Sequence, residues 1–249
     1  MPFGAGPLVA ALVFSAVFLF GSNALIPGRI RRHRRKVLSF GAGVTIAYVF
    51  VHLLPELETA RAVLVRTGAD LSLPFPALRV YLAALLGFML FYGLEHLAVW
   101  SRKPSGSEDA AGEGNRRGRL IHISVFLAYV WLAAYLAVRS LEEGSTRITL
   151  YTVALGLHFL SLDFSLFREY GSWYKRSVRY AFAVAPLAGW TLGVIVGFGR
   201  LFTAALLGFI SGGIIMNAIV SELPKEKEGR FLAFLLGGAF YTALLIILS

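Results

Sequence analysis

Apolar residues run along this chain in long blocks rather than in alternation. Eight blocks come close to the about 20 residues that one helix needs to cross a bilayer: Leu8–Ile26, Val37–Leu54, Val80–Trp100, Leu120–Val138, Ile148–Phe167, Ala181–Phe198, Leu201–Val220 and Phe231–Leu248. Membrane strands would alternate with a period of two, and these blocks do not. The pattern predicts an all-α polytopic membrane protein with eight transmembrane helices. The longest polar stretch, 101–119, is rich in Gly, Ser and charge, cannot build a core, and reads as a flexible loop. It separates three spans from five, and residues 1–249 form one membrane domain.

Composition agrees. Hydrophobic residues make up 57% of the chain and charged ones 15%, against about 25% charged in soluble domains, so a water-soluble enzyme is excluded. The formal charge is +10, which raises the question of nucleic acid. Eighteen of the 24 Lys and Arg residues, however, follow spans one, three, five and seven. Such a bias marks the cytoplasmic side. It predicts both termini outside, a cytoplasmic 101–119 loop, and a plasma (inner) membrane location, and it accounts for the charge without nucleic acid. The run Arg29, Arg31, Arg32, Arg34, Arg35, Lys36 then anchors topology beside anionic headgroups. No basic residue precedes the first block, so that block is expected to stay as a span rather than act as a signal peptide. The absence of Cys excludes disulfides, thiolate metal sites and cysteine nucleophiles.

An offset of 169 residues aligns the chain with itself. Phe40–Pro55 (FGAGVTIAYVFVHLLP) matches Phe209–Pro224 (FISGGIIMNAIVSELP) at Phe40/Phe209, Gly43/Gly212, Ile46/Ile215, Val51/Val220, Leu54/Leu223 and Pro55/Pro224. The two segments belong to spans two and seven, which run in opposite directions. Similar segments in opposed orientation are the signature of an inverted repeat, a device of secondary transporters. Residues 8–100 would pair with 181–248, leaving 120–138 and 148–167 as central helices, and Pro55 should overlie Pro224.

This 3+2+3 layout, with FVHLLPELE (Phe50–Glu58), GFMLFYGLEHL (Gly87–Leu97) and VSELPKE (Val220–Glu226), resembles the ZIP family of divalent metal transporters. The resemblance implies zinc, iron or manganese as substrate, with the transport site between helices four and five. There the family carries a His-Asn-x-x-Asp-Gly type motif followed by a His-Glu-x-Pro-His-Glu type motif. Imidazoles and carboxylates one helical turn apart suit such ions. At the first motif this chain has Tyr129 for the histidine, Val130 for the asparagine and Ala133 for the acid. At the second, His158 matches the first histidine, while Phe159, Ser161, Leu162 and Asp163 replace Glu, Pro, His and Glu. A shifted alignment that matches Asp163-Phe164 to a later Asp-Phe of the family removes His158. In either register no complete two-metal site forms, so the resemblance implies a divergent member with a degraded site.

The transport or metal candidates are therefore His158, Asp163, Ser161, Tyr129, His52 and Glu56. An acid at mid-span costs about 2.5–3.5 kcal/mol on insertion scales and usually faces the bundle. His158 and Asp163, five apart, diverge by about 140° and cannot chelate one ion; His158, Ser161 and Ser165 share a face. Tyr129 and His158 reach equal depth from opposite sides, so they are expected to hydrogen-bond with no ion between them, and Asp163 to turn to another hydroxyl or an aqueous vestibule. His52 and Glu56 are spaced i, i+4, but Pro55 and their depth favour a solvated helix end. His96 and His122 are expected at the cytoplasmic surface. Gly189, Gly193, Gly197, Gly208 and Gly212 mark faces for close helix contact.

Three functions remain. One is divalent-metal transport through an unusual site. Another is a ZIP-fold protein that no longer transports metal and acts as partner or sensor, or carries another substrate. An intramembrane metal hydrolase would need about three converging ligands, and the spread of the histidines argues against an enzyme. The expected partners are the lipid bilayer, a possible divalent ion as substrate rather than cofactor, and a possible second copy in a homodimer.

Overall fold

The computed structural model describes residues 5–24, 28–66, 78–100, 108–139, 145–222 and 230–248, which form helices and no strand. In chain order these are α1 (Ala5–Ala24), α2 (Gly28–Tyr48), α3 (Leu54–Arg66), α4 (Arg79–Trp100), α5 (Glu108–Arg139), α6 (Ser145–Trp173), α7 (Arg179–Ile195), α8 (Arg200–Met216) and α9 (Phe231–Leu248). Turns of π-helix at Val49–Leu53, Tyr174–Val178 and Asn217–Glu222 join α2 to α3, α6 to α7, and extend α8. Among the described residues six helical stretches are long and apolar enough to cross a membrane, and Ala5–Gly21 is a shorter apolar one.

Several helices outrun the apolar blocks. Residues 108–119 are the first turns of α5 rather than loop; 101–107 lie outside the described residues. Glu108 and Asp109 favour the positive end of the helix dipole and Ala110, Ala111 and Glu113 are good helix formers. The basic run from Arg29 to Lys36 is likewise part of α2. Apolar length measures hydrocarbon thickness, whereas a helix continues wherever its backbone bonds close. Pro55 does not end its helix either. The π-turn immediately before it, where the Leu54 N–H donates to the Val49 carbonyl, is the irregularity that accommodates a proline ring without a break. Leu223 and Pro224 lie outside the described residues, so their pairing with Leu54 and Pro55 is not described.

Residues 147–195 form one long helical stretch, but Gly171 sits at φ 56°, ψ −128° inside it and breaks α6 near its end. That backbone conformation is open to glycine at little cost, so the chain reverses there instead of running on as one rod.

The helices pack in two sets. In the first, α4 lies on α8 and α2 on α9; in the second, α1 lies on α6 and α7, and α5 on α7. Glycines make the contacts close. A Cβ at Gly208 or Gly212 would strike the Val80 or Ala84 carbonyl of α4, and one at Gly189 the Trp131 carbonyl of α5. A Cβ at Gly193 would come within 2.8 Å of the Val138 side chain, so these helical glycines serve as expected; Gly197 instead lies past the end of α7, beside the Arg139 guanidinium. Aromatic rings fill the second set: Phe14 and Phe18 pack on Phe159, and Phe18 also on Phe182. Most of the remaining surface of α4 and α9 is exposed and apolar, as suits helices facing hydrocarbon.

Candidate functional site

The central helices bring two of the expected side chains together. Tyr129 on α5 and His158 on α6 are buried, and the phenol oxygen lies 2.8 Å from His158 Nε2. The phenol donates in the tautomer that carries its hydrogen on Nδ1. Phe91 and Phe126 pack edge-on to the Tyr129 ring, and Phe159 lies against both partners. In that apolar shell the bond matters, because an unmade one costs about 1–3 kcal/mol. The pairing is the one anticipated from matched depth.

Asp163 turns elsewhere. Fully buried, it accepts a hydrogen bond from the Tyr174 hydroxyl at 2.6 Å. Its other oxygen lies against Gly21 of α1, where a Cβ would come within 3.2 Å. Arg179, counted from sequence as a loop cation, is 4% exposed and donates through Nε and Nη2 to the Phe18 carbonyl at 3.3 and 3.1 Å. A carboxylate and a guanidinium thus join α1, α6 and α7 where Gly171 lets the chain reverse. Neither Tyr174 nor Arg179 stood out in the sequence. Both lie in the basic and aromatic stretch 168–180 between two apolar blocks, which reads as an ordinary loop.

Ser161 points at α2, its hydroxyl 3.6 Å from the position of a Cβ on Gly41. His52 stacks on Tyr48 with ring centroids 5.4 Å apart, and both His52 and Glu56 are half-buried rather than solvated. The Glu56 carboxylate lies within electrostatic reach of Tyr48, Tyr151 and Tyr241. Those three rings meet edge-on around Tyr48, at 6.5 and 6.0 Å, and the Tyr151 hydroxyl donates to the Ala133 carbonyl at 2.8 Å.

At the opposite end His96 is exposed as expected, but His122 is not. It is 3% exposed, its Nδ1 is 2.7 Å from the Tyr170 hydroxyl, and its Nε2 is 3.7 Å from Glu95 Oε2. Glu95, on α4, faces this imidazole of α5 from one helix over.

The six candidates therefore separate into Tyr129 with His158, Asp163 with Tyr174, His52 and Glu56 near the Tyr48 cluster, and Ser161 against α2. A zinc-like ion needs three or four donors at about 2.0–2.3 Å. Among the described residues no three His, Asp or Glu side chains converge to supply them. The described donors around His158 and Asp163 therefore do not assemble a zinc-like site. No protein-family model matches the chain, and comparison with curated proteins finds no matching sequence.

Proposed function

We propose that this chain is an eight-pass integral membrane protein of ZIP-like architecture whose centre has lost divalent-metal transport, leaving a partner or sensor, or a carrier of another substrate. Both termini face outward in this reading, which places Glu56 at the outer end and Glu95 at the cytoplasmic end. The observation that carries it is the Tyr129–His158 hydrogen bond, formed where the family's metal ligands would meet. Asp163 is likewise bonded to Tyr174.

The inverted repeat has independent support. An offset of 169 carries the π-turn Val49–Leu53 onto 218–222, inside the π-turn Asn217–Glu222. The repeat mates Gly43 and Gly212 each abut a backbone carbonyl, of Phe234 on α9 and Ala84 on α4. The repeat mates Phe40 and Phe209 each present their carbonyl to a glycine of the facing helix, Gly237 and Gly87. Exchanging the two halves exchanges the two interfaces, as a two-fold axis in the membrane plane requires.

Uptake of zinc, iron and manganese by the purified protein in liposomes tests the reading. The expected result is no uptake above empty liposomes for any of the three. Saturable uptake of one ion, abolished by His158→Ala, would restore the metal-carrier reading.

A further inference from the structure

Three helices meet on one imidazole at the Glu95 end. His122 of α5 is buried, with Tyr170 of α6 at Nδ1 and Glu95 of α4 facing Nε2. In neutral imidazole one nitrogen donates and the other accepts. A bare Nε2 would present its lone pair to a carboxylate, so the neutral ring keeps its hydrogen on Nε2 and accepts at Nδ1 from the Tyr170 hydroxyl. A proton taken up from water must go to Nδ1. Tyr170 then reverses its role and accepts, and Nε2–H becomes a cationic donor aimed at Glu95. Charge-assisted N–H···O bonds settle at about 2.7–2.9 Å. The observed 3.7 Å leaves about 1 Å for the pair to close.

Closing moves more than two side chains. Glu95 lies one turn from Phe91, whose ring packs on Phe126 at 5.5 Å and on Tyr129 at 5.2 Å. Helix α4 is held to α8 along its glycine seam, so a pull on Glu95 draws that pair against α5 and presses Phe91 onto the ring stack beneath the Tyr129–His158 bond. Other charged or titratable groups nearby are Arg119, one turn back on α5 with its guanidinium 4.6 Å over the Trp173 ring, His96 beside Glu95, and Glu169 beside Tyr170.

We propose that Glu95, His122 and Tyr170 form a proton-binding latch that clamps the α4–α8 pair to α5 and α6 and closes this end of the bundle. The latch depends neither on the metal result nor on which side this end faces. Metal uptake by liposomes would overturn the preceding reading and leave the latch standing.

The chain contains no Cys, so one thiol can report on it. Ile123, 7% exposed beside His122, is replaced by Cys in nanodiscs, and its reaction with a small methanethiosulfonate is timed with and without Glu95→Gln. Taking the ratio of the two backgrounds at each pH removes the thiol's own titration. Labelling at about pH 5.5 should be roughly tenfold slower with Glu95 in place than in the Glu95→Gln background, as a charge-assisted bond implies. At about pH 8 the two should agree within roughly twofold. A ratio unchanged between the two pH values overturns the proposal. Should the glutamine variant fail to fold, spin labels at Met89→Cys and Ile121→Cys, both exposed, decide the matter. Their distance distribution should narrow on acidification, and one indifferent to pH overturns the latch.

Discussion

Replacing Gly87 by Ala tests whether the α4–α8 seam organises the bundle. A Cβ built on Gly87 overlaps the Phe209 carbonyl and falls short of ordinary 3.4 Å contact by more than about 1 Å. The opposing atom is helix backbone, so no flexible side chain can give way and the helices must part. Overpacking of this kind costs about 1–3 kcal/mol, and a backbone obstacle puts Gly87→Ala at about 3. The better helix propensity of alanine returns at most about 1 kcal/mol, for a net loss of about 2. Gly93, six residues along the same helix, has nothing within 4 Å of its Cβ position, so Gly93→Ala should be neutral or stabilise by up to about 1 kcal/mol. The assay is reversible unfolding in mixed micelles, followed by the fluorescence of the four tryptophans. Gly237→Ala, which meets the Phe40 carbonyl in the same way, should lose as much as Gly87→Ala. If Gly87→Ala were no less stable than Gly93→Ala, the close approach of these helices would be wrong, and with it the strongest support for the repeat.

Tyr129→Phe keeps the ring packing and removes the hydroxyl bonded to His158, so the same unfolding assay should show a loss of about 1–3 kcal/mol; no loss would mean the pair is hydrated rather than sealed. Tyr174→Phe takes a donor from a buried carboxylate and should cost at least as much, about 2–3 kcal/mol. Adding Asp163→Asn should recover part of that loss because the two sites are coupled, and strict additivity would show that they are not.

The sequence was legible wherever apolar length and residue spacing on one helix decided the outcome. Blocks of near-span length gave the helices, and Gly189, Gly193, Gly208 and Gly212 gave the faces that touch. The Tyr129–His158 bond followed from depth along two neighbouring helices, since a polar group in hydrocarbon has few other places to go. Legibility stopped where a contact depends on rotation of one helix about another. His122 has the composition of a surface histidine near a span end, yet rotation of α5 against α4 and α6 buries it between Glu95 and Tyr170. Arg179 looks like a topology cation and is drawn inward by the Phe18 carbonyl. The ends of helices were also hidden, because hydropathy falls at the interface while α5 continues through Glu108–Arg119 and α2 through its basic run.

The chemistry of position 129 bears on how such a centre is filled. The residue at 129 is constrained by His158, whose imidazole is buried against it. An aliphatic residue at 129 would take the hydroxyl partner from His158 Nε2, at the cost of an unmade buried hydrogen bond. Tyrosine supplies one hydroxyl at the right depth and closes the remaining space with an apolar ring, against which Phe91, Phe126 and Phe159 pack. The same logic operates at Asp163, where the Tyr174 hydroxyl meets the carboxylate. His158 and Asp163 are thus each met by a phenol, which supplies a hydrogen bond and fills the space beside it with an apolar ring. Access to that centre is then a question of ring packing, and the Glu95–His122 pair is placed to act on the ring, Phe91, that packs against Tyr129.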